Sequence, residues 1–160
     1  MRLSEMITPA TIAVHVHIDD KAHALRFAAD SLGARCGLDP ERIREALAGR
    51  EALGSTGIGR GIAVPHVCLP DLDRPYALFC TLADPIDFDS IDNKPVDLIF
   101  TIITPPGSGT GGGEALTYLA AVSRMLRDEK LASALRNATN PWSVYDIVVK
   151  FDPAAAQLVS

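Results

Sequence analysis

Arg50-Glu51-Ala52-Leu53-Gly54-Ser55-Thr56-Gly57-Ile58-Gly59-Arg60-Gly61-Ile62-Ala63-Val64-Pro65-His66 is the stretch on which the reading of this chain turns. Glycine recurs from Gly54 to Gly61, so the backbone there is a turn or loop whose amides are unscreened by side chains. With the Ser55 and Thr56 hydroxyls, those amides can donate to an anion. Ile62-Ala63-Val64 then reads as a short apolar strand, closed by Pro65. Proline cannot continue a central ladder, so His66 belongs at a strand end or on an edge.

Outward from this stretch, hydrophobic spacing lays out the elements. Upstream, Ile12 to Ile18 is β-branched and alternating, a short strand. Asp19-Asp20 can cap a helix whose inward stripe is Ala22, Leu25, Ala28, Ala29 and Leu32, with Gly33 as its stop. Asp39-Pro40 opens a second helix, with Asp as cap and Pro in the first turn; it carries Ile43, Ala46 and Leu47 inward and ends near Arg50.

Downstream, Tyr76 to Ala83 and Val96 to Thr104 are nearly continuous apolar runs, the mark of central strands covered on both faces. A glycine-rich segment, Pro105 to Gly113, reads as a mobile loop and lacks the Lys-Ser/Thr ending of a nucleotide-binding loop. Leu116, Leu119, Ala120, Ser123 and Leu126 then mark one helix face. Glu129 to Arg136 is a further short helix, and Asn140-Pro141 caps a last one through Trp142 to Val149, with Trp142 as its anchor. Strands early and central, with helices between and after, give an α/β class: one domain over residues 1–160, core about 6–150, with a central mixed sheet flanked by helices.

The 160 residues suit one hydrophobic core, and 48% hydrophobic content is ample to fill it. A net charge of -5 argues against a nucleic-acid partner, which calls for a concentrated basic face. The three cysteines, Cys36, Cys68 and Cys80, form no paired framework, and Cys80 lies in an apolar run as a small hydrophobe. This usage, with no signal-peptide pattern after Met1-Arg2 and no run near the roughly 18 apolar residues of a membrane span, gives a cytoplasmic protein without direct membrane insertion.

His66 is the chemical candidate. A neutral imidazole is a nucleophile and can form a covalent intermediate. If it attacks phosphorus, the charge on the equatorial oxygens calls for donors and a cation. Arg50 offers the cation, with a planar fork matched to phosphate, and Ser55, Thr56 and Gly57 offer the donors, with simple turn capping the equal alternative for Ser55 and Thr56. Other histidines are weaker candidates. His15 and His17 alternate and so share a strand face, but no third ligand accompanies them, so no metal is expected. His23 reads as an exposed helix residue, and Asp84, Asp87, Asp89 and Asp92 as a solvated acidic loop.

The Arg50-to-His66 stretch resembles the phosphorylation-site signature of the enzyme IIA family of the fructose, mannitol and nitrogen-regulatory type in the bacterial phosphotransferase system. The resemblance continues through Ala83-Asp84-Pro85-Ile86-Asp87-Phe88 and Pro95-Val96-Asp97-Leu98-Ile99-Phe100 and spans roughly residues 6–150. The stand-alone length favours the nitrogen-regulatory branch. The resemblance implies the mannitol-type enzyme IIA fold and a phosphohistidine at His66, supplied by an HPr-like phosphocarrier. It implies Arg50 beside that histidine, a IIB domain or regulatory target proteins as further partners, and no cofactor.

One position departs from the pattern. The resemblance implies a second histidine opening the helix after the last central strand, and Ala115 stands there. Loss of one such donor costs about 3 kcal/mol of transition-state stabilisation, unless Thr117 or the amides of the helix start replace it. The expectation is therefore a phosphocarrier that signals through its phosphorylation state. Its alternatives are a non-catalytic binding module with a degenerate site and a sugar-transport IIA component.

Overall fold

A computed structural model describes residues 2–107 and 113–152. Its elements are α1 (Leu3–Met6), a 3-10 turn (Pro9–Thr11), β1 (Ile12–Val16), α2 (Lys21–Cys36), α3 (Pro40–Ala52), β2 (Gly57–Gly59), β3 (Ile62–Ala63), β4 (His66–Cys68), β5 (Tyr76–Ile86), β6 (Val96–Thr104), α4 (Gly113–Arg127), α5 (Glu129–Asn137) and α6 (Pro141–Phe151). Strand order is β1-β5-β6-β3-β2, with β4 also on β6. β5 and β6 pair antiparallel, while β1 on β5, and β3 and β4 on β6, are parallel. The sheet is mixed, as the sequence predicts.

The two central strands carry the core because both their faces are covered. Ala77, Phe79, Leu98, Phe100 and Ile102 point to the side of α1, α4, α5 and α6. Leu78, Cys80, Leu82, Ile99 and Ile103 point to the side of α2 and α3. This is the period-two alternation of a strand applied to a run apolar at every position. Phe79 and Phe100 sit opposite each other in register, with ring centroids 5.6 Å apart. Burial pushes the Cys80 thiol up to about 12, so it stays a protonated apolar filler.

The helix caps fall where the sequence puts them. Asp20 accepts from the His23 amide at 2.8 Å, Asp39 from Glu41 at 3.1 Å, and Asn140 from Ser143 at 3.0 Å. Several boundaries and faces differ. β1 stops at Val16, short of Ile18. α3 runs past Arg50 to Ala52. The Gly54–Gly61 segment is not all loop: Gly57–Gly59 forms β2, and Arg60 and Gly61 at φ 59 and φ 80 make the tight turn into β3.

α2 does not stop at Gly33. It continues to Cys36 and ends on Gly37 at φ 82, whose amide donates to the Gly33 carbonyl. Gly33 is instead a contact residue, where the chain returning through Leu38 and Pro40 presses on the helix. α4 buries Tyr118, Ala121, Val122, Met125 and Leu126; of the predicted stripe only Leu126 is buried, and Leu116 is 65% exposed. Trp142 is likewise no anchor, being 69% exposed, and Val144 and Val148 do that work on α6.

These packing differences give a paired test. A Cβ at Gly33 would stand 2.8 Å from Pro40 Cγ and 2.9 Å from the Leu38 carbonyl oxygen, whereas one at Gly49 in α3 meets nothing within 4 Å. Alanine improves helix propensity by about 1 kcal/mol at either position, but overpacking costs about 1–3 kcal/mol. Thermal or urea unfolding should show Gly33→Ala less stable than wild type and Gly49→Ala more stable by about 1 kcal/mol. Equal effects at the two positions would refute this reading of Gly33.

Candidate functional site

Pro65 splits what would be one strand along β6. Ile62 and Ala63 register with Leu98 and Ile99, and beyond Pro65 His66 resumes the same register with Ile102. Proline has no N–H to give, but its carbonyl still accepts the Ile102 amide at 2.9 Å, so the two short strands stay on the same edge. His66 therefore opens an edge strand, the placement expected from the sequence, although the strand itself was not.

His66 is half-buried, and its Nδ1 lies 2.8 Å from the Val64 carbonyl oxygen. A carbonyl only accepts, so Nδ1 carries the proton. In the neutral ring, Nε2 then holds the lone pair. The nucleophilic nitrogen is thus chosen by a backbone group two residues away. Strand alternation puts His66 with its register partner Ile102 on the face covered by α4, whose first turn carries Ala115. Ala115 is half-exposed, Thr117 is exposed, and the residues between them and Gly107 lie partly outside the described set.

Arg50 occupies the last turn of α3, and α3 packs against β4. One guanidinium N–H, on Nη1, donates to the Gly54 carbonyl at 2.9 Å, which steers the side chain over the loop. Among the described residues no carboxylate pairs with Arg50, so its charge is uncompensated. That is the condition a phosphate-facing arginine needs.

The loop hydroxyls and amides are placed differently from the expectation. Ser55 Oγ donates to the Phe88 carbonyl at 2.5 Å and accepts the Gly57 amide at 3.0 Å. Thr56 is buried; its hydroxyl donates to the Glu51 carboxylate, and its amide is 3.2 Å from the same group. As placed, the Ser55 and Thr56 hydroxyls and the Thr56 and Gly57 amides build the loop from within. Gly57 is required by contact, since a Cβ there would lie 2.3 Å from Ser90 Oγ.

Glu51 is the residue the sequence reading missed. Its side chain is 5% exposed, and Lys21 from the first turn of α2 pairs with it at 2.7 Å while lying over the Phe88 ring. A glutamate at a helix end ordinarily reads as solvated, and nothing local announces its burial. The only signal was its place beside Arg50 in the long motif.

The other histidines do not gather. A bulge in β1 puts His15 at φ 51, and its ring meets the Arg136 carbonyl at 2.8 Å. His17 pairs with Asp19 at 3.0 Å. The expected shared face is lost to the bulge. His23 accepts the Asp19 amide at 3.0 Å. Among the described residues no group of three His, Cys, Asp or Glu side chains is arranged to hold a metal ion. The acidic residues are exposed, Asp84 in β5 and Asp87, Asp89 and Asp92 in the loop after it, with the Asp92 carboxyl held below its ordinary value by the Arg60 and Lys94 amides that donate to it. No helix among the described residues is long and apolar enough to cross a membrane.

Comparison with known proteins agrees with this geometry. Residues 5–150 match the family described as phosphoenolpyruvate-dependent sugar phosphotransferase system, EIIA 2. The nitrogen regulatory protein of Bradyrhizobium diazoefficiens is 35% identical over 98% of this chain and 99% of its own length. The crystal structure of nitrogen regulatory protein IIA-Ntr from Neisseria meningitidis superposes with a TM-score of 0.85 at 27% identity, covering 91% of this chain and 98% of that one. The fold also matches Escherichia coli enzyme IIAMTL, solved in complex with phosphorylated enzyme IIBMTL, with a TM-score of 0.74 at 21% identity over 90% and 97% of the two chains. The mixed sheet between two helical layers is that of an enzyme IIA domain, and the chain belongs to the EIIA type 2 family of the phosphotransferase system.

Proposed function

We propose that His66 accepts a phosphoryl group at Nε2 from an HPr-like phosphocarrier in the cytoplasm, and that the phosphorylation state of this site is read by regulatory target proteins. The observation that carries this reading is the His66 Nδ1–H to Val64 carbonyl bond of 2.8 Å, which leaves Nε2 as the free nucleophile. The Nε2 lone pair forms the new N–P bond as the bond from phosphorus to the donor breaks and its electron pair leaves with the donor. The ring gains positive character, and the Val64 carbonyl at Nδ1 stabilises it without a proton having to move. Arg50 faces the charge on the phosphoryl oxygens. No metal or organic cofactor enters these steps.

Phosphorylation adds nearly two negative charges at a half-buried edge, enough to alter which protein surface docks there. A IIB domain is a possible recipient by analogy with the mannitol enzyme. Ala115 favours signalling over sugar transport, because the first turn of α4 supplies no imidazole to the phosphoryl group.

Mixing the chain with phosphorylated carrier should add one acid-labile phosphoryl group by mass, and His66→Ala should abolish it. Absence of label on wild type would overturn the proposal and favour the non-catalytic binding module. Arg50→Ala should slow labelling by about a hundredfold, the usual effect of losing one electrostatic partner. Ala115→His should accelerate it by at least about tenfold on the same argument; an unchanged rate would show that the α4 start does not face the phosphoryl group.

A further inference from the structure

The chain that runs from Glu51 to the His66 ring has an unusual feature in its middle. β2 and β3 pair antiparallel, with Gly57 opposite Ala63. The next pair out is Thr56 opposite Val64, and there the Val64 amide donates to the Thr56 carbonyl at 3.0 Å. In an antiparallel ladder such a pair exchanges two bonds: the Thr56 amide should donate back to the Val64 carbonyl. It does not. The Thr56 amide is turned onto the Glu51 carboxylate, at 3.2 and 3.3 Å from its two oxygens, and the Thr56 hydroxyl donates there too. The Val64 carbonyl is left without its ladder donor, and His66 Nδ1–H occupies it.

We infer that Glu51 is a positioning residue for His66: by capturing the Thr56 N–H it frees the Val64 carbonyl, which then fixes the imidazole as its Nδ1–H tautomer and aims Nε2 outward. This deepens the phosphocarrier reading and rests on it for its functional meaning. The tautomer itself exists in the unphosphorylated protein.

Three features single out Glu51 for this task. Its carboxylate is withdrawn from water, and a buried charge persists only when paired and hydrogen-bonded. Lys21 supplies the pair at 2.7 Å. A cation in the first turn of a helix opposes the helix dipole, so Lys21 is poorly placed for α2 itself and well placed for Glu51. Finally, Glu51 adjoins Arg50, so a single turn of α3 holds both the group that orients the nucleophile and the one that faces the phosphoryl charge. Glu51 touches no reacting atom in this scheme and acts only through Thr56 and Val64.

The test is long-range nitrogen–proton NMR of His66 in unphosphorylated protein, about two pH units above the ordinary imidazole value of about 6.5, where the ring is neutral. Wild type should show Nδ1 protonated and Nε2 bare. In Glu51→Ala the Thr56 amide can return to Val64 and compete with the ring. The Nε2–H population should then rise about three- to tenfold, the factor expected when one hydrogen bond of ordinary net worth is weakened. Glu51→Gln keeps one acceptor oxygen and should lie between wild type and Glu51→Ala. Thr56→Val should shift the tautomer less than Glu51→Ala, and Thr56→Ser should restore wild type.

Should Glu51→Ala fail to fold, the double variant Lys21→Met/Glu51→Leu removes the carboxylate without stranding the ammonium, and the same shift is expected. Where carrier labels the variants, the isomer of phosphohistidine formed should follow the tautomer, with Nδ1-linked product appearing only in those that shift. A bare Nδ1 in wild type, or an unchanged tautomer in the folded variants with only a lower unfolding midpoint, would overturn the inference. Failure of wild type to accept phosphate would instead overturn the carrier reading and leave the tautomer result standing.

Discussion

One main-chain carbonyl, that of Val64, decides the shape of this site. Pro65, with no N–H to give, interrupts the strand along β6 between β3 and β4 without changing its register, and strand alternation turns Val64 away from β6 and toward the β2 side. A backbone carbonyl at such a break must find a donor or lose free energy. The nearest amide, that of Thr56, is already committed to Glu51. The imidazole of the next residue but one satisfies the carbonyl. The commitment of one main-chain N–H to Glu51 thus passes, through the rule that buried polar groups are paired, to the choice of nucleophilic nitrogen on His66.

The rest of the fold keeps that arrangement from relaxing. β5 and β6 are buried on both faces, so β6 cannot shift without disturbing two hydrophobic clusters at once. β3 and β4 take their register from β6, and the edge they form is therefore as fixed as the core behind it. Rigidity ends at the same edge. Beyond His66 the sheet is open, and α3 contributes an arginine with no carboxylate partner among the described residues. In the proposed reading His66 is a preorganised nucleophile on a rigid strand and Arg50 an uncompensated charge on the helix packed against that strand, the economy expected of a group-transfer site.

Much of this was legible in sequence, for identifiable reasons. The runs around Phe79 and Phe100 are apolar at every position, which only a doubly covered strand explains. Asp20, Asp39 and Asn140 cap helices by local hydrogen bonds that need no tertiary partner. The placement of His66 followed from Pro65 alone. What failed depended on distant chain. Gly33 looked like a stop because the Leu38–Pro40 return that crowds it is invisible to periodicity. Two apolar stripes coexist on α4, and the approach of β6, α1 and α5 selects Tyr118 and Val122 over Leu116. Ser55 and Thr56 read as anion donors because their acceptors, Phe88 and Glu51, lie on other elements. Glu51 itself is buried by Lys21, thirty positions earlier in the sequence.

Ala115 bears on flux more than on occupancy. In the proposed carrier role, every passage of a phosphoryl group through His66, inward or outward, crosses a transition state whose charge a second histidine would stabilise. Its absence raises the barrier in both directions, since a donor that acts in the transition state serves forward and reverse steps alike. A transport relay depends on rate and suffers accordingly. A signal depends on the fraction of molecules phosphorylated, which the donor's phosphorylation level sets at equilibrium however slowly it is approached. A site with Arg50 and a tautomer-locked His66, but with alanine at the start of α4, retains what a signal requires and gives up what a relay requires.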